Sequence, residues 1–333
     1  MPDWKKFLRC DPVPALLASG NPAIEYFTRR DLLGEKVEPI ETLWELPCVG
    51  RIFQRQQADG AWRYHGSSAH MRSEEDYNQI ETYRMLGELV EKYGLNRRHP
   101  QIQTAAEFLF RCQTAEGDFR GIYGPLYSPN YTAGIMELLI KAGYGDDPRI
   151  EKGFRWLLSM RQDDGGWAIP MRTVRASYKT SVASGAAIEP DRTRPFSHLA
   201  TGVVLRAFAA HPIYGRSKEA QHAGTLLASR FFRRDAYPDR STPEYWGRVS
   251  YPFWFTDIVS ALDSLSRMGF SKNNAQIARA LDWLRGRQDR KGLFRLKLLR
   301  GKDKDLIYWV CLAVCKVFKR LAVSLPANKR SSL

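Results

Sequence analysis

The chain has 333 residues, with 51 Lys and Arg against 36 Asp and Glu and a formal charge of +15. At 44% apolar and 12% aromatic residues it is too rich in core formers for a disordered chain. Its longest apolar run, the ten residues Leu306–Cys315, falls short of the roughly 20 that span a bilayer. Five cysteines with no CxxC spacing argue against a disulfide scaffold. The start, Met1 to Lys6, lacks an apolar stretch, so a cytoplasmic location is the expectation. The positive charge is spread along the chain and reads first as solvated surface. An anionic substrate such as a diphosphate, or an anionic membrane face, is the sharper reading. No zinc-finger spacing or RNA-binding aromatic signature is present, so no nucleic-acid partner is expected.

In chain order, residues 1–20 read as an N-terminal segment. A repeated turn follows. Gln56-Gln57-Ala58-Asp59-Gly60-Ala61-Trp62 is matched by Gln113-Thr114-Ala115-Glu116-Gly117-Asp118-Phe119. Arg161-Gln162-Asp163-Asp164-Gly165-Gly166-Trp167 and Gln288-Asp289-Arg290-Lys291-Gly292-Leu293-Phe294 repeat it again. Between the last two, Leu226 to Phe232 fits a degenerate copy whose turn has lost both Gln and Gly. The segment before each turn is amphipathic at helical spacing, as in Gln103–Cys112, Arg149–Met160 and Ala275–Arg287. Gly after such a helix supplies a positive-φ stop, and Gln is expected to bond the helix's own free carbonyls.

After each turn a second helix begins at Pro, Ser, Asn or Asp, with starts predicted near residues 22, 76, 128, 196, 250 and 303. These second helices are the more apolar, so they form an inner ring and the first set an outer ring. The predicted fold is all-α: an (α/α)6 toroid of paired inner and outer helices spanning 21–322, followed by a basic tail at 323–333. Almost no strand is expected.

The Gln-x-x-Asp-Gly-x-Trp turn resembles the repeat of squalene–hopene cyclases and of the β-subunits of protein prenyltransferases. The resemblance runs from about Asn21 to Leu321. It implies an isoprenoid-handling enzyme, such as a class II-like terpene cyclase, with an apolar ligand that can carry a diphosphate. Polysaccharide lyases share α/α toroids with Gly-Gly-Trp turns. A carbohydrate-active toroid using Arg248, Tyr251 and Trp254, and a non-catalytic toroid binding a lipid or protein, therefore stay open. A deep apolar cavity favours the first reading, an open polar one the second, and a lumen filled with side chains the third.

The resemblance implies acid and metal motifs that this chain lacks. Class II cyclases draw their proton from an Asp-x-Asp-Asp motif, absent here. Asp303-Lys304-Asp305 is the nearest approximation and reads as a helix cap, as does Glu74-Glu75-Asp76. Cys311 and Cys315 share a helix face but have no matching His, so they read as buried core and no metal or other cofactor is expected. Asp146-Asp147 reads as a turn. The densest cavity-type stretch is Tyr251-Pro252-Phe253-Trp254-Phe255-Thr256-Asp257, placed on the fifth inner helix. There Asp257 would share a face with Trp254 and be desolvated, its pKa raised as an acid catalyst requires. Asp257 is the candidate catalytic acid. Trp254, Tyr251, His198, Tyr131, Tyr77, Tyr308 and Trp309 are the candidate substrate-binding residues, whose rings can face a carbocation. The loop Ile169–Phe196, with Arg172, Arg175, Lys179, Arg192 and Arg194, reads as a basic flap or a disordered insertion. An anionic head group is expected at the mouth formed by the inner-helix N-termini. His65 and His70 are poor metal candidates. Lys316, Lys319, Arg320, Lys329 and Arg330 make a basic C-terminal stretch suited to peripheral contact with anionic lipid.

Overall fold

The computed structural model describes residues 4–66, 73–177, 185–299 and 303–323. His70, Lys179, Lys329 and Arg330 lie outside the described residues. Among the described residues, twelve α-helices of five residues or more alternate along the chain. The odd-numbered set is α1 (Val13–Leu17), α3 (Pro47–Phe53), α5 (Pro100–Arg111), α7 (Pro148–Ser159), α9 (Lys218–Ser229) and α11 (Ala275–Arg285). The even-numbered set is α2 (Pro22–Phe27), α4 (Glu74–Tyr93), α6 (Pro129–Leu139), α8 (His198–Ala210), α10 (Ile258–Arg267) and α12 (Leu306–Val323). Among the described residues the only paired strands are two dipeptides, Arg248–Val249 beside Lys297–Leu298.

The even helices pack on one another in cyclic order: α2 on α4, α4 on α6, α6 on α8, α8 on α10, α10 on α12, and α12 back on α2. Their burial explains the placement. Every residue of α6 from Tyr131 to Leu139 is buried, whereas α5 and α7 bury one stripe each. A helix apolar all round belongs inside, and an amphipathic one outside. In the N-terminal segment Trp4 is buried and α1 packs against α2 and α12.

The repeated turn is a joint between consecutive units. Gln56 Nε2 donates to Gly60 O of its own turn and to Gln101 O at the start of α5, both at 2.9 Å. Gln113 bridges Gly117 O and Arg149 O in the same way. The glutamine thus ties one unit to the next, where the sequence had it bonding its own helix. The glycines are needed twice over. Gly60 sits at φ +94°, and a Cβ there would lie 2.2 Å from Thr104 O on α5. The aromatic is fixed from both ends. Trp62 and Trp167 donate Nε1–H to Ile52 O (2.8 Å) and Leu157 O (2.7 Å). The backbone N–H groups of Trp62, Phe119 and Trp167 donate to the hydroxyls of Thr82, Thr132 and Thr201 on the next inner helix.

The degenerate unit keeps this joint through a residue the sequence reading passed over. Trp246 is 1% exposed and donates Nε1–H to Arg233 O at 3.1 Å, the same lock from a longer turn. Cys311 sits beside the last turn, its sulfur facing Gly292 O at 3.9 Å, whereas three other units set a threonine against the turn aromatic's N–H. Cys311 and Cys315 are fully buried in the core.

Four inner-helix starts fall within two residues of prediction, and the last is Leu306 rather than 303. The fifth is displaced by eight: α10 begins at Ile258, and residues 250–257 are irregular. Asp257 and Ser260 form a reciprocal capping box that starts the helix there. Trp254 and Asp257 therefore do not share a helix face. Three residues of the basic C-terminal stretch lie within the described residues. Lys316, Lys319 and Arg320 lie on α12 and turn inward, to Asp31, the carbonyls of Asp31 and Leu32, and Asp263.

Candidate functional site

The loop 250–256 runs into the ring and supplies its aromatic residues. Trp254 packs against Tyr83 of α4, with ring centroids 4.8 Å apart. Tyr251 stacks on Trp309 of α12 at 5.6 Å and donates its hydroxyl to Glu91 O at 3.2 Å. Thr256 anchors the far end of the loop by donating to Leu199 O of α8 at 2.6 Å. The loop leaves a cleft of about 210 Å³ between itself, α4 and the start of α12. Tyr83, Leu138, Tyr251, Phe253, Trp254 and Leu306 form its apolar wall, with Glu88, Lys92 and Asp303 at its rim. Lys92 bonds both carboxylates, at 2.7 and 2.9 Å. Burial works against the charged form of Asp303, yet the Lys92 ammonium outweighs it and holds that carboxyl below its usual range. Asp303 is thus an ion-pair partner and not a proton source.

Asp257 is 1% exposed at the N-terminus of α10. Its Oδ1 accepts from the N–H groups of Val259 (2.8 Å) and Ser260 (2.9 Å), while Oδ2 is buried with no hydrogen-bond partner among the described residues. Desolvation raises its pKa to about 7, against the two backbone N–H groups and the nearby Arg206 charge, which pull it down. It does not line the cleft, although Trp254, three residues earlier, does.

The other candidates separate into two groups. Tyr131 belongs with the cleft aromatics through Tyr83, edge to face at 6.1 Å, and its hydroxyl meets Gln79 Oε1 at 3.4 Å. Trp309 is buried behind Tyr251. Tyr77 packs on Tyr64 at 5.0 Å, away from the cleft. His198 lies beneath Trp246, stacked at 4.6 Å and 3.5 Å from Asp235; burial lowers its pKa. Tyr308 is half-buried against the core and does not line the cleft. In the flap, Arg172 makes a bidentate pair with Asp239, which fastens the helical turn Pro170–Thr173 to the loop before α10.

Sequence reasoning missed a buried ion network across the ring. Arg206 Nε donates to Glu137 Oε2 at 2.7 Å, and Lys141 donates to Glu137 Oε1 at 2.7 Å. Glu137 and Lys141 each feel burial first, yet the opposite charges keep the carboxyl below its ordinary range and the ammonium above its own. Glu137, Arg206 and Lys316 each stand five residues after the residue that meets a turn, Thr132, Thr201 and Cys311. That shared register was the available signal: a charge at one repeat position, each following an apolar run on an inner helix. Among the described residues no cluster of His, Cys, Asp and Glu suits a metal ion, and no helix is long and apolar enough to cross a membrane.

Comparison with known proteins places this architecture. The family model for the squalene-hopene cyclase C-terminal domain matches residues 75–193 and 146–296. A probable squalene–hopene cyclase of Sinorhizobium fredii is 26% identical over 179 residues, covering 52% of this chain and 27% of that protein. The squalene-hopene cyclase of Schizosaccharomyces japonicus is 37% identical over 57 residues, 17% of this chain and 8% of that protein. The matches thus take in a small part of those relatives' length. The type II terpene cyclase MstE from Scytonema aligns over 84% of this chain and 96% of its own, at 13% identity and a TM-score of 0.35. A protein from Actinoplanes aligns over 82% and 97%, at 17% identity and a TM-score of 0.32. The family model alone spans well over half of the chain, which therefore belongs to the family of squalene-hopene cyclase C-terminal domains.

Proposed function

We propose that this chain is an isoprenoid-handling enzyme with class II-like cyclase chemistry, its apolar ligand seated beside Tyr83, Tyr251 and Trp254. The observation that supports it best is the state of Asp257: a fully buried carboxyl with pKa about 7 and one unengaged oxygen, three residues from the cleft-lining Trp254. A carboxyl in that state keeps a proton available at neutral pH. Asp257 does not line the cleft, so its Oδ2 proton reaches an alkene or epoxide of the ligand only if the 250–256 loop shifts; the cation formed would lie against the faces of Trp254 and Tyr83. A diphosphate-bearing ligand would turn its head toward the inner-helix N-termini, which carry partial positive charge.

Asp257→Asn tests the reading cleanly, because Asn caps a helix about as well as Asp. The variant is expected to keep its helical circular dichroism and its affinity for an isoprenoid epoxide, and to lose turnover of it. Turnover equal to wild type removes Asp257 from the chemistry. A second reading, a non-catalytic isoprenoid-binding toroid, is favoured by the filling of the ring interior with the 250–256 loop and the Glu137–Arg206 pair. It predicts binding without turnover in the wild-type protein in the same assay.

A further inference from the structure

A groove of about 550 Å³ opens on the outer flank of the ring, between α11 and the helical turn Pro243–Gly247. None of its lining residues belongs to an inner helix. Arg279 and Trp283 on α11 and Arg287 just past its end stand four apart, and all three line the groove. Lys297 joins them from the strand dipeptide beside Arg248–Val249. We propose that this groove binds a phosphate-bearing small molecule, at a site separate from the cleft beside Trp254. It stands independently of whether the ring takes an isoprenoid.

The charges of the groove are unanswered. Elsewhere on the outer helices Arg149 pairs with Glu107, Arg155 with Glu151 and Arg285 with Asp282. Arg279, Arg287 and Lys297 have no ion-pair partner among the described residues. Glu244 is the only carboxylate among the described lining residues, and it pairs with none of them. Three cations gathered in a concave site without counter-charge attract an anion of more than one charge. Two of them are also oriented. Arg287 lies over the Trp283 ring at 4.6 Å and Arg279 over the Phe232 ring at 5.8 Å, and the two rings pack at 5.2 Å. Stacking holds a guanidinium plane in place and leaves its N–H fork to an oxyanion such as phosphate. Phe232 is itself strained, at φ +59°; in the turns of the other units the positive φ belongs to Gly60, Gly117, Gly165 and Gly292. A bulky side chain kept in that conformation is uncommon, and such strain gathers at ligand sites. The volume lies within the roughly 300–1,000 Å³ of small-molecule sites.

The test is calorimetric titration of the full chain with pyrophosphate and with ADP, at roughly 0.15 M salt, where attraction between exposed charges beyond about 8 Å is screened. Wild type is expected to bind both. Arg279→Gln and Arg287→Gln are each expected to weaken pyrophosphate binding by about tenfold, the worth of a hydrogen bond to a charged group. Both are surface changes and are expected to keep the helical circular dichroism. Arg285→Gln removes the same charge from the same helix outside the groove, and is expected to leave the affinity at the wild-type value. Tighter binding of ADP than of pyrophosphate assigns the phosphate to a larger ligand, and equal binding assigns the site to the free anion. Failure of wild type to bind either probe overturns the proposal. So does binding that neither groove variant weakens, or a loss in Arg285→Gln equal to theirs, which would trace the attraction to net charge.

Discussion

A carboxyl that caps a helix normally becomes a stronger acid, since the N-terminal N–H groups and dipole favour its charge. Asp257 goes the other way because burial is complete and only one of its oxygens is bonded. The direction fixes how stability depends on pH. Its folded pKa, about 7, stands above the ordinary 3.8, so between these values the folded chain holds a proton that the unfolded chain releases. The cost is absent below about pH 4, grows as pH rises, and levels above about pH 7 at about 4 kcal/mol. Asp257→Asn removes this titration. The variant's melting temperature relative to wild type is therefore expected to rise from pH 4 to pH 8. A difference that is flat across that range would mean the carboxyl is charged throughout.

At the scale of elements, the joint between units is made of residues with few substitutes. The turns were legible for that reason: Gly60 needs both its φ and its missing Cβ, and Trp62 needs both a large ring and an N–H donor. Trp246 was hidden because its turn had lost Gln and Gly and grown longer, leaving only the aromatic and a distant carbonyl. The 250–256 loop was hidden for another reason. Its aromatic run reads as an apolar helix, and its true course is set by contacts to Leu199 and Glu91, 57 and 160 residues away in sequence. The Glu137–Arg206 pair, 69 residues apart, has the same remoteness. Asp257 was legible as a desolvated carboxyl, whereas its place before the helix depended on the capping box with Ser260. If Trp246 is a true turn aromatic, Trp246→Ala should cost as much as Trp62→Ala or Trp167→Ala, about 3–5 kcal/mol each by denaturant unfolding. A loss under 1 kcal/mol at Trp246 would show that the degenerate unit is held by other contacts.

At the scale of the whole molecule, the C-terminal ends of the inner helices bring their negative partial charges together, about half a charge each. The chain answers with Arg30, Lys141, Arg267 and Lys316 around a cavity at that end, each paired with a carboxylate. Burial, with Asp31 opposing it and Arg267 and Arg30 adding to it, lowers the pKa of Lys316. This end of the ring is thus charged but internally balanced. What remains is how a linear chain shuts the circle. The last turn does it. Gln288 Nε2 donates to Gly292 O at 2.9 Å and, across 278 residues, to Cys10 O at 2.8 Å, while its Oε1 accepts from the N–H groups of Arg9 and Cys10. Gly292 lies against Pro12, where a Cβ would come within 2.7 Å of backbone. Gln56 makes the same kind of joint between neighbouring units, so the two glutamines differ in what they connect. Each loses hydrogen bonds that are at least partly buried on substitution by alanine, a cost of about 1–3 kcal/mol. Gln288→Ala is expected also to raise amide hydrogen exchange across Cys10–Leu17 while the other outer helices keep theirs; Gln56→Ala should leave Cys10–Leu17 protected. Equal protection of Cys10–Leu17 in both variants would mean that Trp4 and α1 close the ring by burial alone.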